Sequence, residues 1–295
     1  MSQLDLGGKF VAKLANLVFT NSAIANGDTP LAALGKLQGQ INAGSFNAGS
    51  FTIPAYDNTI YPVSEWMPPG NATTLPGVKG MGALTTVGTA TARSILSNNG
   101  LNMLQRIGFV SAATAGAMAS VVDAVNPRLF LGAGGGNAGG FIVALRFGIS
   151  DAATVSGARM FCGLRNTTAA PTNVEPSTLL NCIGVGHGAS DTNLKFYSGI
   201  NINAVVDLGA NFPITAGGTE GYLLILYAQP DTAGGLNGVG WYVKRLKTGF
   251  SASGIAGQSP GQTNPVNLSC FRTNNATALA VGLDIGAYTS KNLSI

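Results

Sequence analysis

His187 is the only histidine of the 295-residue chain, and Ser190 and Asp191 follow it in the sequence GVGHGASD. Serine, histidine and aspartate are the side chains of a hydrolytic triad, in which the histidine removes the proton of the serine hydroxyl. A triad is a spatial arrangement, however, and residues three and four apart within one turn rarely adopt it. The chain also lacks the GxSxG sequence of the α/β-hydrolases. We therefore interpret His187 as a loop residue.

Paired carboxylates, the catalytic groups of glycoside hydrolases, are a second possible source of chemistry. Most acidic residues of the C-terminal half stand beside Gly or Pro, where aspartate stabilises turns by accepting hydrogen bonds from nearby backbone amides. Their spacing along the chain does not bring two of them together. We expect no catalytic residue. The acidic residues of the C-terminal half that could have formed such a pair are Asp151, Glu175, Asp191, Asp207, Glu220, Asp231 and Asp284.

Cofactor and metal sites have no convincing sequence signal either. Residues 134–139 match GxGxxG formally, but a dinucleotide site requires a helix after the glycines, and a predicted strand follows here. The three cysteines, Cys162, Cys182 and Cys270, show neither CxxC nor Cys/His spacing. We expect them to be buried thiols of a protein made in a reducing cytoplasm. We expect no cofactor and no metal.

The composition indicates a folded protein with few charges on its surface. Of the residues, 45% are hydrophobic and 9% charged, against about 25% charged in ordinary soluble domains. This favours a surface that copies of the chain or other proteins cover. The net charge of +4 is spread thinly, and the one basic run, Lys244–Lys247, lies in a predicted strand, so we expect no nucleic-acid binding. No secretory signal and no apolar run of ~18 residues is present, so we expect no membrane insertion.

Strand patterns dominate the chain from about residue 101 onward. In Phe141–Ile149, apolar side chains recur at every second residue, which is the period of a β-strand. Turn residues separate eleven such segments, and together they predict a mainly β fold with a C-terminal antiparallel β-sandwich of jelly-roll type. The predicted strands are 105–111, 128–131, 141–149, 159–165, 180–186, 194–197, 203–208, 222–229, 240–247, 267–273 and 278–288.

A short helix is predicted near the N-terminus, in the segment 28–41. Asp28 or Thr29 can cap it, and Pro30 suits its first turn. Leu34, Leu37 and Ile41 would then lie on one side. That side could pack against symmetry-related copies in a short bundle, or equally against the rest of its own chain.

Three regions follow from these patterns. Residues 1–42 form an N-terminal attachment segment with the short stalk helix. Residues 43–102 are rich in Gly, Pro and small polar residues and contain several aromatic residues, so we expect an extended connecting or attachment arm. Residues 103–295 form the β-sandwich head.

The same segments resemble bacteriophage fibre and tail-fibre-like virion proteins. The resemblance lies in FIVALRFG (141–148), in segments 157–187, 207–213, 239–249 and 271–290, and in DTPLAALGKLQGQI (28–41). It implies a trimeric fibre or spike whose N-terminal part binds capsid or tail proteins and whose β-structured head faces outward. It supplies no catalytic motif.

The first hypothesis is therefore a virion fibre or spike protein, made in the host cytoplasm and carried on the particle, that contributes to host-surface attachment. Its external partner would be a host-surface glycan or protein. A capsid decoration or head-fibre protein with a stabilising role is the alternative, and a glycan depolymerase is a third. The loops 184–191, 230–238 and 254–265 are predicted to form the distal recognition surface, through His187, Ser190, Asp191, Asp231, Asn237 and Gln258.

A homotrimer would hide strand edges and apolar faces that a monomer exposes. The candidate trimer contacts are Leu34, Leu37, Ile41, Arg146, Arg159 and Arg165. At least one of the three arginines is expected to pair with a carboxylate or with carbonyl groups of a neighbouring chain.

Overall fold

The computed structural model describes residues 46–48, 51–53, 63–75, 83–97, 100–125, 128–131, 139–200, 204–215, 217–229, 238–256, 258–261 and 263–293. The chain forms two compact units, Met1–Asp57 and Asn58–Ile295. In the first unit, β1 (Phe46–Ala48) and β2 (Phe51–Ile53) pair as an antiparallel hairpin. The predicted helix contacts Leu34, Leu37 and Ile41 lie outside the described residues.

The second unit is an antiparallel β-sandwich, as the sequence predicts. Its strands are β3 (Val63–Trp66), β4 (Leu84–Val87), β5 (Thr89–Ala92), β6 (Ile107–Val110), β7 (Met118–Asp123), β8 (Phe141–Ile149), β9 (Arg159–Arg165), β10 (Cys182–His187), β11 (Lys195–Gly199), β12 (Ala204–Asp207), β13 (Gly221–Ala228), β14 (Val239–Arg245), β15 (Ser251–Ile255), β16 (Asn267–Thr273) and β17 (Gly282–Asn292). The seven-stranded sheet has the order β12-β11-β10-β9-β16-β7-β4. The eight-stranded sheet has the order β15-β14-β13-β8-β17-β6-β5, and β3 pairs with β17.

Alternating side chains of both sheets form the core between them. In β8, Phe141, Val143, Leu145 and Phe147 are buried and Arg146 is exposed, as the period of two requires. Across the core, Phe196 of β11 stacks on Trp241 of β14 with 4.6 Å between ring centroids. This contact joins the two sheets face to face.

The seven-stranded sheet is covered on its outer face as well. Phe161, Cys182, Tyr197 and Phe271 form a second apolar cluster there with Leu179, from the segment between β9 and β10. This cover explains why β9 and β16 are buried on both faces. At Gly184 any side chain is excluded, since a β-carbon would lie 2.5 Å from the backbone carbonyl oxygen of Cys162 and 2.9 Å from the Phe161 ring.

Strand registers give the sandwich two distinct ends. Val63 of β3 lies opposite Lys291, and Phe141 lies opposite Asn292, so the chain enters the sandwich and β17 finishes at the same end. We call this the Val63 end. At the opposite end, called the His187 end, β8 finishes and β17 begins, and β10 finishes at His187. Hydrogen bonds of Arg272 to Asp151 and His187 show that the two sheets share this end.

The predicted strands are largely confirmed, and three of them, Phe141–Ile149, Arg159–Arg165 and Asn267–Thr273, have the predicted bounds. The segment predicted as Arg128–Leu131 contributes only an isolated bridge, from Leu129 to Val266. The strands β7 and β15 were not predicted.

The expected arm over residues 43–102 needs a correction. Within it, β3 pairs with β17, β4 with β7, and β5 with β6, so these three strands belong to the sandwich. The strands β4 and β5 are the end strands of their sheets; they are short and rich in Thr and Ala, and none of their residues is fully buried. Their sequences therefore lack the apolar alternation of the central strands.

Two neighbouring residues of β8 test this arrangement. We expect Leu145→Ala to lower the free energy of unfolding by about 2–5 kcal/mol, because Leu145 is 1% exposed in the core. Arg146→Ala on the opposite face should change it by less than about 0.5 kcal/mol. Chemical denaturation of both variants measures the difference. Equal losses for the two variants would contradict the assigned facing of β8.

Candidate functional site

An open cleft with a volume of ≈ 470 Å³ lies at the His187 end of the sandwich. Three segments form its walls: residues 151–158 between β8 and β9, residues 187–192 from the last residue of β10 onward, and residues 213–215 before β13. Arg272, near the end of β16, completes the lining. Both sheets therefore contribute to the cleft.

A buried polar cluster of Asp151, Arg272 and His187 lies at the base of the cleft. Arg272 Nε donates to Asp151 Oδ1 at 2.8 Å, and Arg272 Nη2 donates to Asp151 Oδ2. The amide of Gly282 also donates to Asp151, at 2.7 Å. Arg272 Nη1 lies 2.6 Å from His187 Nε2. All three side chains are almost completely buried, so each charge depends on its partner.

These contacts fix the protonation state of His187. A guanidinium only donates hydrogen bonds, so His187 Nε2 accepts, and Nδ1 donates to the carbonyl of Gly188 at 3.1 Å. Burial, and then the charge of Arg272, lower the pKa of His187 to about 3. The ring is neutral near pH 7 with its basic nitrogen occupied. It is therefore unsuited to act as a general base.

The rim of the cleft carries exposed hydroxyl groups. The side chains of Thr154, Ser156, Ser190, Thr192 and Thr215 are exposed, and their hydroxyls donate to no other described residue. Each can donate and accept hydrogen bonds with a ligand. These uncharged hydroxyls lie beside apolar lining residues such as Val155, Pro213 and Ile214.

Asp191 closes the turn that follows β10. It accepts hydrogen bonds from the Gly188 amide at 2.7 Å and from the Tyr197 hydroxyl at 3.3 Å, and it pairs with Lys195 at 2.6 Å. Burial raises the pKa of Asp191, but the hydrogen bonds from Lys195 and Gly188 outweigh it, so the pKa lies below its ordinary value. The carboxylate is ionised and its charge is compensated.

Glu175 holds the same turn from outside the cleft. It accepts from the Ala189 amide at 3.2 Å and from Arg159 Nε at 2.7 Å. Glu175 and Asp191 both approach Gly188, where a β-carbon would lie 2.6 Å and 3.3 Å from their carboxylate oxygens. These two carboxylates are thus engaged in holding the turn rather than placed around a substrate.

The structure brings three of the six predicted recognition residues together. Ser190 and Asp191 line the cleft on the turn after β10, whereas His187 lies at its base as the buried last residue of β10 and not on a loop. Gln258 lies between β15 and β16 at the Val63 end, because β15 runs toward that end and β16 starts from it. Asp231 and Asn237 lie outside the described residues. The three predicted loops therefore do not form one surface through Gln258 and His187.

Sequence reasoning missed Arg272 as a residue of this site, and it named Asp151 only among the acidic residues of the C-terminal half. Arg272 follows Leu268 and Cys270 at every second position on the core-facing side of β16. A charge at such a position requires a buried partner. That single charged residue in an apolar alternation was the available signal.

The three arginines predicted as trimer contacts differ from one another. Arg159 forms an ion pair with Glu175 of the same chain at 2.7 Å. Arg146 is exposed on β8. Burial lowers the pKa of Arg165, and its Nε is buried without a hydrogen-bond partner. A role for them between subunits stays a prediction.

The described part of the chain lacks two other features. It holds no group of three or more His, Cys, Asp or Glu side chains placed to bind a metal ion. None of its helices is long and apolar enough to cross a membrane.

Comparison with known proteins yields similarity of architecture alone. No family model matches the chain, and no curated protein matches it. Peanut lectin with a 9-mer peptide is similar with a TM-score of 0.49 and 12% identity, over 79% of this chain and 98% of that chain. Arcelin-5, a lectin-like defense protein from Phaseolus vulgaris, gives 0.48 and 10%, over 79% and 100%. SO2946 from Shewanella oneidensis MR-1, a protein of unknown function, gives 0.44 and 12%, over 92% and 96%. With TM-scores below 0.5, these likenesses carry no conclusion about ligands, so the chemistry of the cleft follows from its own residues.

The buried His187 predicts a specific dependence of stability on pH. Its pKa is about 3 in the folded protein and about 6.5 in the unfolded chain, so the unfolded chain binds a proton first as the pH falls. The free energy of unfolding should therefore decrease from pH 6.5 toward pH 3, by about 2 kcal/mol between pH 7 and pH 5. Urea denaturation at each pH measures it.

His187→Gln is the matched control, because the amide oxygen can still accept from Arg272. No other histidine titrates in this window. The variant should show nearly constant stability between pH 7 and pH 5. The same slope in both proteins would contradict a buried neutral His187.

Proposed function

We propose that this chain is a bacteriophage virion fibre or spike protein that binds the particle through residues preceding Val63 and binds the host surface with the His187 end of its sandwich. The observation that carries the proposal is the placement of the chain entry and the cleft at opposite ends of the sandwich. The chain enters at Val63 and β17 finishes at Asn292 on one end, and the cleft lies at the other.

This placement keeps the cleft away from the end that would be held on the particle, as attachment requires. The nine residues of β8 run from the Val63 end to the His187 end, which separates the two ends by about 30 Å. A protein held on a particle near Val63 presents the cleft farthest from the particle. The cleft connections are irregular loops on a rigid sandwich, the usual setting of recognition sites.

The chemistry of the cleft favours a neutral, hydroxyl-rich ligand, and we therefore propose a host-surface glycan. The charges around it cancel in pairs, Asp151 with Arg272 and Asp191 with Lys195. The remaining polar groups on the rim are hydroxyls, which exchange hydrogen bonds with sugar hydroxyls in both directions. A strongly charged ligand would meet no uncompensated opposite charge.

The attachment that we propose is non-covalent. The basic nitrogen of His187 accepts from Arg272, and the Asp151 carboxylate is held by Arg272 and Gly282. Neither group is available for acid–base catalysis. Affinity would come from several copies acting together, and a homotrimer on each fibre is part of the proposal.

Substitutions on the rim test the proposal on intact particles. In the double variant Ser190→Arg and Thr192→Arg, two long cations fill a cleft that has hydroxyls there. We expect host adsorption to fall by about tenfold or more, equivalent to at least ~1.4 kcal/mol. Particle yield should be unchanged. Adsorption rates and binding of the purified protein to host polysaccharide are the measurements.

The matched control is Ser253→Arg, an exposed serine of β15 outside the cleft. It should adsorb like the parent. Equal adsorption of the cleft variant and the control would refute attachment through the cleft. Particles that lack the protein and adsorb normally but lose stability would favour the decoration role instead.

A further inference from the structure

Cys162 and Cys270 stand directly opposite each other on neighbouring strands. They are register partners in the antiparallel pair of β9 and β16. Both side chains belong to the main core cluster, so they leave the sheet on the same face. Although 107 residues separate them in the sequence, the fold makes them cross-strand neighbours.

The backbone geometry of such a pair permits a disulfide. Opposed residues of antiparallel strands have Cα atoms about 4.5–5.5 Å apart. Disulfides span Cα separations of about 4.4–6.8 Å. A bond between the two sulfurs therefore requires rotation of the side chains and only small shifts of the backbone.

The third cysteine lies in a different environment. Cys182 belongs to the cluster on the outer face of the same sheet, and its Sγ donates to the carbonyl of Leu179 at 3.8 Å. It is buried like the other two, but on the opposite face. Cys182 is thus an internal control for reactions of buried thiols.

We propose that Cys162 and Cys270 are a covalent modification site, which a hydroperoxide oxidises to an intrachain disulfide once the protein has left the reducing cytoplasm. One thiolate attacks the hydroperoxide, forming an S–O bond and breaking the O–O bond, and an alcohol or water leaves. The second thiolate attacks the resulting sulfenic sulfur, and water leaves as the disulfide forms. Two thiols and one hydroperoxide give one disulfide, one water and one alcohol (or a second water).

The reaction is slow in the folded protein. Burial, together with the neighbouring Cys270 thiol, raises the pKa of the Cys162 thiol well above its ordinary value. The reactive thiolate is therefore scarce, and attack depends on transient opening of the sheet. Once formed, the disulfide joins β9 and β16, two adjacent strands near the middle of the seven-stranded sheet. It restricts the unfolded chain by closing a loop of about 110 residues.

The test uses the full-length wild-type protein, incubated with a small excess of hydrogen peroxide and then denatured and alkylated. Free thiols should fall from three to one, with a peptic or tryptic fragment linking Cys162 to Cys270 in mass spectrometry. The urea midpoint should rise, and dithiothreitol should return it to the starting value. The proposal does not depend on the function assigned to the cleft.

Two variants sharpen the result. Cys182→Ser should leave no free thiol after oxidation, and Cys270→Ser should keep both remaining thiols without a linked fragment. Three free thiols in the treated wild-type protein would overturn the proposal. A linkage through Cys182, or oxidation to sulfinic acids without any linkage, would also overturn it.

Discussion

The buried pair of Arg272 and Asp151 is the interaction on which the His187 end of the sandwich depends. Arg272 lies on β16 of one sheet, and Asp151 follows β8 of the other, so the pair links the two layers. Asp151 also accepts from the first residue of β17, and Arg272 donates to His187 at the end of β10. Two buried charges are tolerated only when each is paired and hydrogen-bonded. The ends of four strands are consequently held in one arrangement.

That arrangement decides what the cleft can do. The polar groups at its base hydrogen-bond to one another, so the exposed hydroxyls on the rim are the groups available to bind a ligand. The sandwich then behaves as a rigid support with its binding groups on the connecting loops. In the proposed attachment function, several weak sites act together when their geometry lets them bind one surface at the same time. The cysteine pair between β9 and β16 would restrain the sheet that carries His187.

The sequence predicts the central strands well because their burial is local and regular. Phe141–Ile149 alternates between core and solvent, so its facing follows from the period alone. The edge strands do not follow from the sequence: Ser251–Ile255 contains small residues, and its strand character comes from pairing with β14. Gln258 and His187 fall at opposite ends because strand order, which the sequence does not encode locally, determines where each loop lies. The pairing of Arg159 with Glu175 likewise depends on the segment that covers β9.

The orientation of the sandwich on the particle is the central claim, and labelling of single engineered thiols tests it most directly. Ala276→Cys places a thiol at the His187 end, and Gln258→Cys places one at the Val63 end, both at exposed positions. The three native cysteines are buried and should not react with a maleimide-linked gold particle. Electron microscopy of labelled virions should show the Ala276→Cys label farther from the particle surface by about 30 Å. The reverse order, or equal distances, would contradict the proposed orientation.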